Sequence, residues 1–107
     1  MRRVFMIYVD DERPTPSYDE TQFVPITCHN YDQAVDVIQY LSTVDQPFTL
    51  DLDHDLGEGK TGYDICKYLV EHQLAVCGCI NIHSMNPVGV SNMEQLLTHY
   101  GYTVTRQ

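Results

Sequence analysis

The chain has 107 residues, enough for one hydrophobic core and a single domain, 1–107, but not for two. Six basic against fifteen acidic residues give a formal net charge of −9 and leave no basic stripe, which argues against an extended nucleic-acid surface but leaves room for a small phosphorylated ligand or an RNA end held by a few local groups. No apolar run approaches the ~18 residues of a membrane span, and Met1-Arg2-Arg3 enters an apolar strand with no small-residue cleavage site, so a cytoplasmic protein is expected.

Val4 to Val9 is a continuous apolar run and predicts a central strand covered on both faces. Residues 13–22, with two prolines and two acids, predict a loop. Phe23 to Cys28 follows as a second strand, placed at a sheet edge by Pro25. Asn30 with Gln33 caps a helix carrying the stripe Ala34, Val35, Ile38 and Leu41. Phe48 to Leu52 predicts a third strand, and Thr61 with Asp64 opens a helix whose stripe is Ile65, Cys66 and Leu69. Ile80 to Ile82 is the fourth strand. Ser91 with Glu94 opens a last helix with Met93, Leu96, Leu97 and Tyr100 on one face; Gly101 ends it, and Tyr102 to Thr105 closes the chain as a strand.

Alternation of strands and helices predicts a five-stranded, mainly parallel sheet with right-handed crossovers. The later strands are two-faced: Phe48, Leu50 and Leu52 oppose Thr49, Asp51 and Asp53, and Ile80 and Ile82 oppose Asn81 and His83. That pattern places the helices mostly on one face and leaves the other polar and bare, a surface expected to meet a partner, most simply a second copy as a homodimer. Cys28, Cys66, Cys77 and Cys79 have no zinc-ligand spacing and are expected to be reduced and mostly buried thiols.

The chemistry gathers at strand ends. The first strand runs into Asp10-Asp11-Glu12-Arg13-Pro14, the third into Asp53-His54-Asp55-Leu56-Gly57, and the fourth into His83-Ser84-Met85-Asn86-Pro87. Open parallel sheets bind ligands at the carboxyl ends of their strands. Two carboxylates about 4 Å apart repel by roughly 4 kcal/mol at an effective dielectric near 20, so this crowd needs a divalent cation, a protonated histidine or a raised carboxyl pKa. His54 and His83 titrate in the range that acid–base chemistry needs. Gly57-Glu58-Gly59-Lys60-Thr61 is not a P-loop, because the position five before Gly59 is His54. The loop still offers amides to an anion, as do Ser84, Asn86 and Gly89 beside the fourth strand.

Asp10-Asp11, Asp53 and Ser84 at successive strand ends, with Gly62-Tyr63-Asp64-Ile65 behind them, resemble the receiver domain of response regulators. That resemblance implies a receiver-like (flavodoxin-like) sheet of order 2-1-3-4-5, with the first and last receiver helices missing here. It also implies that Asp10, Asp11 and Asp53 hold a divalent cation such as Mg²⁺. The lysine at the end of the fifth strand is absent, since the chain ends Thr105-Arg106-Gln107. The blocks Leu50-Asp51-Leu52-Asp53-His54-Asp55-Leu56-Gly57, Thr61-Gly62-Tyr63-Asp64 and His83-Ser84-Met85-Asn86-Pro87-Val88-Gly89 are similar to a divergent phage and bacterial family, the cyclic-phosphate-processing receiver domains.

That second resemblance implies a phosphoesterase acting on a cyclic phosphate (an RNA 2′,3′-cyclic end or a cyclic nucleotide), a hydrolase of the RNA-processing kind. Its catalytic residues would be His54 and His83 as acid and base with Asp53, and its ligand contacts Asp10, Asp11, Asp55, Gly57, Ser84, Asn86 and Gly89. Two other readings compete: a non-catalytic nucleotide- or protein-binding module of the same fold, and a receiver phosphorylated on Asp53.

Overall fold

The computed structural model describes residues 2–107. The elements run β1 (Val4–Val9), β2 (Phe23–Cys28), α1 (Tyr31–Thr43), β3 (Phe48–Leu52), α2 (Gly62–Glu71), β4 (Cys79–Ile82), α3 (Pro87–His99) and β5 (Thr103–Arg106). All strand pairs are parallel and the sheet order is β2-β1-β3-β4-β5, as the sequence predicts, with Pro25 on an edge strand.

Register decides which residues share a face. Ile7 pairs with Leu50 and with Ile26, and Val9 pairs with Leu52 and with Cys28. These side chains, with Phe48, Ile80 and Ile82, form one apolar layer against Ala34, Ile38 and Leu41 of α1, Ile65, Cys66 and Leu69 of α2, and Val90, Met93 and Leu97 of α3. All three helices therefore pack on the same face. Truncating a fully buried member such as Leu50 or Ile80 to Ala would cost about 2–5 kcal/mol.

The first two helices start where predicted. Asn30 accepts from the Gln33 amide at 2.9 Å, and Thr61 with Asp64 forms a reciprocal capping box. The third does not. Helix α3 opens at Pro87, with Asn86 as N-cap accepting from the Gly89 amide at 2.9 Å, and Ser91 lies one turn inside it. Proline at the first helical position gives up an amide that would have no partner there, and this start competes successfully with the Ser91-Glu94 pair. Tyr100 correspondingly falls at the C-cap and is 58% exposed. Two of the thiols, Cys77 and Cys79, are exposed, not buried as expected.

The second face of the sheet is also not bare at its centre. Met6, Tyr8, Thr49 and Asp51 lie on it and are buried. Segment 13–22 is the strap that closes over them: Tyr18 donates to Asp51 Oδ2 at 2.5 Å, the Thr15 and Thr27 hydroxyls meet, and the Tyr18 ring packs edge-on to Phe23 at 6.2 Å. An aromatic side chain thus does locally what a helix would do, shielding Tyr8 and completing the hydrogen bonds of Asp51. The exposed residues of this face are Pro25 and Thr27 on β2 and Cys79, Thr103 and Thr105 at the β4–β5 side.

Candidate functional site

The C-terminal ends of β1, β3 and β4 meet, and His83 stands at their centre. Its Nδ1–H donates to Asp51 Oδ1 at 2.6 Å and its Nε2–H to Asp10 Oδ2 at 2.9 Å. The ring stacks on Tyr8, centroids 4.9 Å apart and planes 8° from parallel. Burial disfavours the charged imidazole, but the two carboxylates outweigh it, so the His83 pKa is raised and a carboxylate at each ring nitrogen favours the doubly protonated ring. His83 is 5% exposed, with no ring nitrogen free to meet a substrate. The expectation that it serves as one half of an acid–base pair does not fit this geometry, because exchanging its proton requires breaking a buried ion pair.

Asp10 is as fully engaged as its partner. Oδ1 accepts from the amides of Glu12 at 2.9 Å and Arg13 at 2.8 Å, and Oδ2 accepts from His83 and, at 3.4 Å, from the Tyr8 hydroxyl. A carboxylate has about four acceptor positions, and all are taken. Burial raises the Asp10 pKa, yet the Arg13 and Glu12 amides and His83 hold it below the ordinary carboxylate value. Asp51 is treated alike: burial pushes it up, and hydrogen bonds from His83, Tyr18 and Asn81 bring it down further than burial raises it. The same surroundings push the Tyr8 hydroxyl to about 12, through burial first and then the charges of Asp10 and Asp51.

The carboxylates facing outward are different. Asp10, Asp11, Glu12, Arg13, Asp53, Asp55, Gly57 and Met85 line an open pocket of about 410 Å³. Asp53 is anchored only through its backbone, its amide donating to Val9 O at 3.0 Å. Among the described residues, neither the Asp53 nor the Asp11 side chain has a hydrogen-bond partner; Asp53 is buried at 8% exposure and Asp11 half-buried, and both line the pocket. Asp11 lies beside Gly57. A larger groove of about 710 Å³ runs between α2 and α3, but its lining of Tyr63, Asn92, Gln95, Leu96, His99 and Tyr100 contains no carboxylate.

The donors fit a hard divalent cation. Asp10, Asp53 and His83 present ligand atoms within 4.8 Å of one another, yet Asp10 and His83 already hold each other through a shared proton. The uncommitted oxygens belong to Asp11 and Asp53, and oxygen donors of that kind suit Mg²⁺ or Ca²⁺. Of the three expected cation ligands, Asp11 and Asp53 have the free oxygens and Asp10 is the shelf beneath them.

His54 belongs to the rim. Its ring lies on the backbone of Gly89, where a Cβ would stand 2.6 Å from Cδ2 and 2.9 Å from Nδ1. Only glycine lets α3 approach so closely, which makes Gly89 a buried seat for His54, and its amide donates to Asn86 Oδ1. His54 Nδ1 pairs with Asp55 Oδ1 at 2.9 Å, and the Asn86 amide nitrogen approaches both. The His54 hydrogen bond lowers the Asp55 pKa. His54 Nε2 has no partner among the described residues and reaches solvent. Ser84 is half-buried, its hydroxyl accepting from the Asn86 amide at 3.1 Å in a local turn.

Tyr8, Tyr18, Asn81 and Arg13 complete the site without having been expected there, and Asp51, which the sequence shows in the acidic block 50–57, is one of its anchors. Strand alternation carried the one usable signal: Tyr8, Asp51, Asn81 and His83 fall on the same face, and a tyrosine, two polar residues and an acid there needed partners.

The fold and this acidic strand-end pocket define a receiver-type α/β domain. The chain belongs to the cyclic-phosphate processing receiver domain family, whose model matches residues 5–99. No curated protein and no solved structure matches it.

Proposed function

We propose that this domain opens a cyclic phosphodiester to a phosphate monoester at the pocket formed by Asp11, Asp53 and Asp55, with His54 as the proton-transferring group. The observation that carries the reading is the His54–Asp55 pair: Asp55, itself part of the pocket lining, holds Nδ1 at 2.9 Å and leaves Nε2 open. Asp55 fixes the tautomer, so the Nε2 lone pair is available to accept a proton from water. Water then bonds to phosphorus, one ring P–O bond breaks, and the proton on Nε2 passes to the departing ribose-type oxygen. A divalent cation held by Asp11 and Asp53 would supply charge neutralisation at the phosphoryl oxygens. His83, in this reading, is a positioning residue: the imidazolium sets Asp10 and Asp51, and through them the floor of the pocket.

One observation favours a second reading. With both His83 nitrogens engaged, only one of the two expected histidines, His54, keeps an open ring nitrogen, which suits a module that binds a cyclic phosphate without turning it over. The two are separated by ³¹P spectroscopy of nucleoside 2′,3′-cyclic phosphates and 3′,5′-cyclic nucleotides incubated with the protein, with Mg²⁺ and with chelator. Conversion to monoester supports the hydrolase, and a bound but unchanged cyclic ester supports the binding module.

A further inference from the structure

We propose that Arg13 is the anion-binding residue of this pocket, its guanidinium taking the non-bridging oxygens of a phosphate ester. The proposal rests on the cyclic-phosphate reading for the kind of ligand, and on the following geometry for the residue.

The pocket lining contains one basic side chain, Arg13, among five carboxylates. The other basic residues with assigned contacts are occupied elsewhere: Arg2 donates to Asp45 O, Lys60 lies over the Tyr31 ring, Lys67 pairs with Asp64, and Arg106 pairs with Glu94. Among the described residues lining this pocket, Arg13 is therefore the one arginine or lysine side chain that a phosphate would meet.

Arg13 is also poised without being consumed. Nη1 donates to the His83 carbonyl at 3.1 Å, which fixes the head group against β4. Nε stands 3.9 Å from Asp10 Oδ2, too far for a hydrogen bond, and the side chain is 45% exposed. Asp10 does not depend on that contact, because His83 and two amides already satisfy it. A guanidinium has five N–H donors in a fork that matches phosphate geometry, and only one is committed here. The backbone of Arg13 holds Asp10 independently, through the amide at 2.8 Å. A side-chain substitution thus leaves the pocket floor in place.

Binding of inorganic phosphate and of a nucleoside 3′-monophosphate, titrated by NMR in the presence of Mg²⁺, tests this with the wild type, Arg13→Gln and Arg13→Lys. Loss of a charge-assisted contact should weaken binding about 10–100-fold in Arg13→Gln, with Arg13→Lys recovering part of it as a point charge without the fork. The Arg13→Gln melting temperature should match the wild type; if it drops, Arg13→Lys carries the comparison, and its affinity must then fall below the wild type. Equal affinity in wild type and both variants, or no phosphate binding by the wild type, overturns the proposal. Arg13-dependent binding without any turnover of cyclic phosphate removes the hydrolase and leaves Arg13 standing. Turnover with an unchanged KM in Arg13→Gln does the reverse.

Discussion

His83 Nδ1 stands 2.6 Å from Asp51 Oδ1, across the join between β4 and β3. Both groups are buried, so the contact is a charge pair inside the protein, and Asp10 on the far ring nitrogen makes it a triad. Removing one member of such a set leaves the others charged and uncompensated, which costs about 3–5 kcal/mol.

His83→Ala should therefore lower unfolding free energy by about that amount, and Asp51→Ala should do likewise. His54→Ala, at the rim, should change stability far less. Urea denaturation of the three variants checks the contrast. A His83→Ala protein as stable as the wild type would show that the triad is not a structural keystone.

Stability should also depend on pH in a defined sense. His83 has a raised folded pKa, so its contribution is complete below the ordinary imidazole value of 6.5 and is lost as pH rises through the higher folded value. Asp10 and Asp51 have depressed pKa values, so their contributions are present above the ordinary 3.8 and are lost as pH falls through the lower folded values. Melting temperature should hold a plateau between these limits and fall on both sides. His83→Gln should remove the histidine's share of the alkaline fall, and an alkaline limb identical in the two proteins would refute the assignment.

Gly89→Ala should destabilise the protein by about 1–3 kcal/mol through collision with the His54 ring. Placed in a His54→Ala background the same change should be neutral or stabilising, since alanine exceeds glycine in helix propensity by about 1 kcal/mol. The double-mutant cycle measures the coupling directly. Additive effects would mean that Gly89 is not the seat of His54.

Much of this architecture was legible from residue order. Apolar runs and caps at Asn30 and Thr61 located most elements, and the three polar strand ends located the pocket. The sequence points to a later start for α3 because Ser91-Glu94 satisfies a local capping rule, while Asn86-Pro87 wins through a cap that also positions Asn86 beside His54. The sequence shows the strap only as a loop, since nothing local says that Tyr18 will cross a sheet to reach Asp51, 33 positions away. Equally, a sequence lists Asp10, Asp11 and Asp53 as like acids. Only packing separates Asp10, with every acceptor position filled, from Asp11 and Asp53, which face the pocket uncommitted.

The most direct test is single-turnover hydrolysis of a nucleoside 2′,3′-cyclic phosphate by the wild type and His54→Ala, followed by ³¹P NMR with Mg²⁺ present. Loss of the general base should slow ring opening by about 10²–10⁴-fold, with the variant still folded and still binding the monoester product. Ring opening by His54→Ala at the wild-type rate would contradict the account.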